Sequence, residues 1–173
     1  MLKILARLAI VFALFVFPYE AHAKTPDQLI LINKKINQLA FFENGKLVKV
    51  YPVATGRIPK FTPEGTFFIR EMIKNRPYYK LHIKGGDPKN PLGDRWMGLS
   101  YNEHGSFPYG IHGTNNEHSI GKYASGGCIR MKNKDVRELF GRLHVHTKVV
   151  ITTSKSSMVA LAQPYLKKLV AGK

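Results

Sequence analysis

Asn44-Gly45 stands between two runs, QLAFFE and KLVKVYPV, that are rich in apolar and β-branched residues. Asn and Gly accept the positive φ angles that a two-residue hairpin turn requires, so the two runs are expected to pair as antiparallel strands. Glu43, Lys46 and Lys49 then occupy wet positions. The preceding LILINKKIN reads as strand as well, and a second turn, Thr62 to Gly65 (TPEG), leads into the strand TFFIREMI. A chain that opens this way is committed to a β architecture.

One internal helix is expected. Asn133 serves as its cap, Asp135 suits its first turn, and Val136, Leu139, Phe140 and Leu143 recur at helical spacing. The strand TKVVITT, Thr147 to Thr153, follows. KLHIK reads as a strand carrying His82, and residues 83–110, crowded with Gly, Pro, Asn and Asp, read as one long irregular stretch of functional character. The fold class is therefore mainly β, with one short internal helix near the C-terminal end. Residues 154–173 form a basic tail whose helical pattern Pro164 kinks or restarts.

The N-terminus sets the compartment. Lys3 and Arg7 precede an apolar run from Leu8 to Phe17, and Ala21-His22-Ala23 places small residues where a signal peptidase reads. Residues 1–23 are expected to be a secretory signal cleaved near Ala23, which makes the protein exported, to the cell wall or periplasm. The remaining roughly 150 residues, 24–153 and the tail, suffice for one domain with its own core. Structural bridges in secreted domains use cysteines in pairs, whereas this chain has a single cysteine.

The net charge of +16 calls for an acidic partner. The lysines and arginines are scattered, without an arginine-rich arm or a nucleic-acid motif, so nucleic acid is not expected. Outside the cell the fitting partners are anionic wall polymers.

The cysteine lies in SGGCIRM, Ser125 to Met131, directly behind two glycines. A free thiol titrates near ~8.5 and needs a base or a positive field to act as a nucleophile. Glycines let the backbone turn sharply and leave amides free to face a developing oxyanion. Cys128 thus reads as a working thiol. His112, in YGIHGTNNEHSIG, fits as its base, its second ring nitrogen held by a carbonyl such as that of Gly113. His144 and His146 fit on chemistry alone, in the Cys-before-His order of papain-like peptidases. A zinc site from His104, His112, His118 and Cys128 matches no tight ligand spacing, and no metal or organic cofactor is expected.

GIHGTNNEHSIGKYASGGCIRM resembles the signature of the L,D-transpeptidase catalytic (YkuD-type) family. The likeness extends from Gln28 to Thr153, through TPEGTF, GDPKNPLG and NKDVRELFGRLHVHTKVVIT. The resemblance implies the family's β-sandwich or barrel, Cys128 as nucleophile and His112 as general base in a thiolate–imidazolium pair. It also implies the Gly113 carbonyl as the group orienting His112, and the amides of Gly127 and Cys128, with Gly126, as the oxyanion hole. Arg130 is a candidate for a substrate carboxylate or a structural ion pair, and Trp96, Tyr101 and Tyr109 are candidates for lining the cleft.

The implied reaction acylates Cys128 with a peptidoglycan tetrapeptide stem, releases D-alanine and passes the acyl group to a second stem amine, or to water. Carbapenems are the implied covalent inhibitors, and the expected state is a monomer. One position departs from the family pattern: Gly126 replaces the usual histidine, which removes a polar group and adds backbone freedom. Two rival readings are a wall-binding module with a weakened site, and a cysteine hydrolase that uses His144 or His146.

Overall fold

In the computed structural model, residues 27–100 and 108–171 are described. The leader and its cleavage site, Tyr101 and His104 lie outside them. Ten strands and two α-helices follow in the order β1 (Gln28–Asn33), β2 (Gln38–Glu43), β3 (Lys46–Pro52), β4 (Thr55–Gly56), β5 (Gly65–Lys74), β6 (Arg95–Ser100), β7 (Tyr109–His112), β8 (Tyr123–Ser125), β9 (Ile129–Arg130), α1 (Asn133–Phe140), β10 (Lys148–Thr152) and α2 (Met158–Ala171). Eight strands form one sheet in the order β3-β2-β1-β10-β5-β6-β7-β9, and β4 pairs with β8 separately.

The expected hairpin is present, with Glu43 facing Lys46 across Asn44 and Gly45, both at positive φ. The long sheet curls on itself. Leu39, Phe41 and Tyr51 from one end share a core with Ile111, Ile129 and Met131 from the other. Ala54, just past β3, bridges Arg130 of β9 through two backbone hydrogen bonds of 2.9 Å, so the ends of the sheet meet. Burial of apolar side chains on the concave face drives this curl, and Val136 and Leu139 of α1 complete that core.

Strand alternation assigns the other face. Ile30 and Ile32 point into the curled core, while Leu29 and Leu31 point outward and join Ala40, Phe42 and Val150 under α2. Met158, Ala162 and Leu166 of α2 cover that face. The C-terminal segment is thus a packed part of the domain. Pro164 lies on its exposed side and leaves the helix assigned without a break.

Three local expectations change. Residues 83–110 contain β6 and the start of β7, so Trp96 and Tyr109 stand on strands. KLHIK is no strand: Tyr79–Leu81 is a 3-10 turn and His82 takes the left-handed conformation that ends it. Lys132, and not Asn133, occupies the cap position of α1. Asn133 instead reaches back to the loop after β7, accepting from Thr114 N at 3.1 Å and donating to Thr114 O at 2.8 Å. Its amide packs so closely on Gly113 that a side chain there would collide with it. The start of α1 therefore fixes the loop behind His112.

Candidate active site

β7 and β9 run parallel, with Ile111 facing Ile129 and His112 facing Arg130. Alternation sends Ile111, Ile129 and Met131 into the core and turns His112 and Arg130 to the other face. Cys128, two residues before Arg130, opens onto a cleft of about 270 Å³ lined by Arg76, Tyr78, Leu92, Trp96 and Pro108 among others. Trp96 borders both groups. Its ring lines the thiol's cleft and stacks on the His112 imidazole, with centroids 5.5 Å apart and planes 20° from parallel.

His112 is 3% exposed, and its Nδ1–H donates to Gly113 O at 2.6 Å. That bond commits the proton to Nδ1 and leaves the lone pair on Nε2. Burial lowers the imidazole pKa to about 4, the Gly113 carbonyl pulls it back only in part, and the positive charge of Arg130 lowers it further. For Cys128, burial pushes the thiol up, against the Gly110 backbone hydrogen bond and the charges of Arg130 and Arg76, which pull it down. Both burial effects disfavour charge. Arg130 and Arg76 oppose that effect at the thiol, whereas at the imidazole their charges add to it.

His144 and His146 lie elsewhere. They sit in the loop before β10, and the His146 amide donates to Ile69 of β5. β6 and β7 stand between β5 and β9, each strand step adding ~4.8 Å across the sheet. The structure thus puts His112, and neither downstream histidine, on the strand paired with β9, which Cys128 leads into. His118 is exposed, within the 3-10 turn Glu117–Ser119.

The glycine turn is held from both sides. Gly127 has φ +135°, and a Cβ there would lie 2.6 Å from Phe61 O and 2.6 Å from the Tyr109 ring. Tyr109 is thereby a wall behind the turn and is not among the residues lining the thiol's cleft. Gly127 N donates to Ser125 Oγ at 3.0 Å, and Ser125 Oγ–H donates to Cys128 O at 2.6 Å. The Gly127 amide is therefore engaged. Of the three amides expected to form an oxyanion hole, those of Gly126 and Cys128 meet no acceptor among the described residues. Gly126 is exposed, with nothing within 4 Å of the place its Cβ would take. The freedom expected from Gly126 is offset by these hydrogen bonds.

Arg130 has no carboxylate at ion-pair distance among the described residues, and its charge acts on both Cys128 and His112. Sequence reading did not find Arg76, whose guanidinium lies 4.3 Å above the Trp96 ring and 3.5 Å from Glu71. Glu71 also accepts from Trp96 Nε1 at 2.8 Å. These residues come from β5 and the loop after it, and no local pattern marks them.

A curled β-sheet that sets a thiol on a glycine turn beside a buried imidazole defines a class of acyl-transferring enzymes. The chain belongs to the L,D-transpeptidase catalytic domain (YkuD) family, which matches residues 27–151. It is 42% identical over 147 residues to the Bacillus subtilis protein YqjB, which carries the name L,D-transpeptidase, covering 85% of this chain and 84% of that one. YbiS of Escherichia coli, of the same name, is 34% identical over 137 residues, or 72% of this chain and 44% of its own length. Among solved structures, Bd1075 of Bdellovibrio bacteriovorus superposes with a TM-score of 0.54 at 22% identity, covering 84% of this chain and 56% of that one. The transpeptidase LdtMt1, solved in complex with imipenem, superposes with a TM-score of 0.54 at 14% identity, over 73% of this chain and 59% of its own. This chain thus spans a little over half the length of those two solved chains, and at such identities they speak to the fold.

Proposed function

We propose that the protein is an exported cysteine L,D-transpeptidase acting on peptidoglycan stem peptides. The observation that carries this reading is the placement of Cys128: a thiol in a cleft, on a braced glycine turn, beside a buried imidazole whose Nδ1 proton is tied to Gly113 O. Export rests on the leader pattern of residues 1–23.

As the thiol sulfur attacks the carbonyl of the stem's third residue, His112 Nε2 takes its proton. Burial that acts against charge on both groups supports a transfer made within the attack itself. The amides of Cys128 and Gly126 face the oxygen on which negative charge develops. Collapse of the tetrahedral adduct breaks the bond to D-alanine, whose nitrogen receives the proton from His112, and leaves a thioester on Cys128. A side-chain amine of a second stem attacks the thioester, loses its proton to His112 and restores the thiol. Water in place of the amine gives carboxypeptidase action. Arg130 and Arg76 supply positive charge at the cleft for substrate carboxylates.

Intact mass of the purified chain after incubation with a carbapenem tests the reading, with Cys128→Ala and His112→Ala alongside. A one-to-one adduct on the native chain, absent in Cys128→Ala and much slower in His112→Ala, is expected. Release of D-alanine from a tetrapeptide muropeptide, with a dimer as product, then establishes transfer. A folded native chain with a titratable thiol and no adduct sinks the reading.

A further inference from the structure

Thr62 lies far from Cys128 in sequence, on the segment between β4 and β5, yet its buried hydroxyl touches the catalytic turn. Thr62 Oγ1–H donates to Gly127 O at 2.7 Å, and the same oxygen accepts from Gly56 N at 2.8 Å. The hydroxyl's single proton is therefore committed to the Gly127 carbonyl. Lys34 Nζ, itself buried, holds the segment in place by donating to Thr62 O at 2.8 Å and Pro59 O at 3.0 Å.

The consequence follows from peptide geometry. A trans peptide is planar, with its carbonyl and amide pointing in opposite directions. Gly127 O and Cys128 N–H belong to one such plane. Holding the oxygen on Thr62 turns the Cys128 N–H away from the segment 56–62. Ser125 fixes the two neighbouring groups, Gly127 N and Cys128 O, and leaves this plane to Thr62. Without the hydroxyl, a glycine at φ +135° offers little resistance to rotation of that plane.

We propose that Thr62 is a positioning residue that aims the Cys128 amide at the oxyanion through the Gly127–Cys128 peptide. The assignment rests on Cys128 being the acylated thiol. Its role is separable from thiol reactivity: it acts where a carbonyl oxygen gains charge and not where sulfur displaces a halide.

The test compares two reactions at Cys128 in the native chain, Thr62→Val and Thr62→Ser. Carbapenem acylation builds an oxyanion, whereas alkylation by iodoacetamide does not. Loss of one oxyanion donor costs ~100-fold or more in rate where measured, so misaiming one is expected to slow acylation by Thr62→Val roughly tenfold or more. Alkylation should stay within about twofold and Thr62→Ser should acylate at close to the native rate, as a donor that is kept predicts. Equal losses in both reactions, or full acylation by Thr62→Val, overturn the assignment. If Thr62→Val does not fold, Thr62→Ala, which admits a water, takes its place in the same comparison. A crystal structure of the variant gives an independent readout, in which an unmoved Gly127–Cys128 peptide also overturns it. A native chain that alkylates but never acylates would instead refute the parent reading, and the aiming role with it.

Discussion

The indole of Trp96 stacks on the imidazole of His112, and the Arg76 guanidinium lies 4.3 Å from the same indole ring. Trp96, directly opposite His112 on the neighbouring strand β6, thus covers one face of the buried imidazole. Trp96→Ala should admit water to His112 and let its pKa rise from about 4 back towards the ordinary 6.5. The acid limb of carbapenem acylation would then move to higher pH, whereas Trp96→Phe, which keeps an aromatic face, should hold it low. A pH–rate profile measures this, and an unmoved limb in Trp96→Ala would assign the burial to other neighbours.

The depressed His112 pKa also links stability to pH. Between pH 6.5 and about 4 the unfolded chain binds a proton that the folded imidazole refuses, so the unfolded state carries more protons. Stability is full above 6.5 and declines as pH falls through about 4. Glu64, lowered chiefly by its hydrogen bond from Thr153, and Glu138, lowered chiefly by that from Lys49, act in the same direction near and below 4.5. Denaturant melts at pH 7, 6 and 5 should show the decline, and His112→Gln should flatten it above pH 5.

The two glycines of the turn should respond oppositely. Gly126→His places its Cβ in open space and is expected to fold with stability within about 1 kcal/mol of native. Gly127→Ala meets Phe61 O and the Tyr109 ring at positive φ and should lose roughly 2 kcal/mol or more, with acylation impaired. Thermal melts and acylation rates of the two variants decide the matter. Equal behaviour would mean that the turn relaxes more than its contacts suggest.

Leu166 of α2 is buried on the outer face of the sheet, opposite the curled core. Leu166→Ala should lower stability by about 2–4 kcal/mol and the melting temperature accordingly, because it opens a cavity above β1, β2 and β10. Its acylation rate at 25 °C should match the native rate, since the described buried side chains of α2 pack on β1, β2 and β10. A slowed reaction in a fully folded variant would reveal coupling through the sheet.

Much of the site was legible because its signals are local. The Asn44-Gly45 turn, the short apolar runs of β1 and β5 and the pairing of glycines with Cys128 each depend on residues a few positions apart. Backbone stereochemistry reads such signals directly. His112 and Gly113 were singled out through the family signature; in the structure Nδ1 of His112 meets the Gly113 carbonyl. Where local reading failed, a distant contact had overruled it. Asn133 looks like a cap, yet it binds Thr114 across 19 positions. KLHIK alternates like a strand but turns at His82, and residues 95–100 look irregular yet find partners in β5 and β7.

The sequence by itself determined a β-rich domain, a lone thiol on a glycine turn and a basic surface, since each follows from residue types and short spacings. Only the tertiary structure decided that the Trp96 ring stacks on His112, that burial acts against charge on both His112 and Cys128, and that the Thr62 hydroxyl donates to the Gly127 carbonyl. The reason is physical: pKa values, stacking and peptide orientation depend on what the curled sheet brings within a few ångströms, and that is fixed by contacts between residues far apart in the chain.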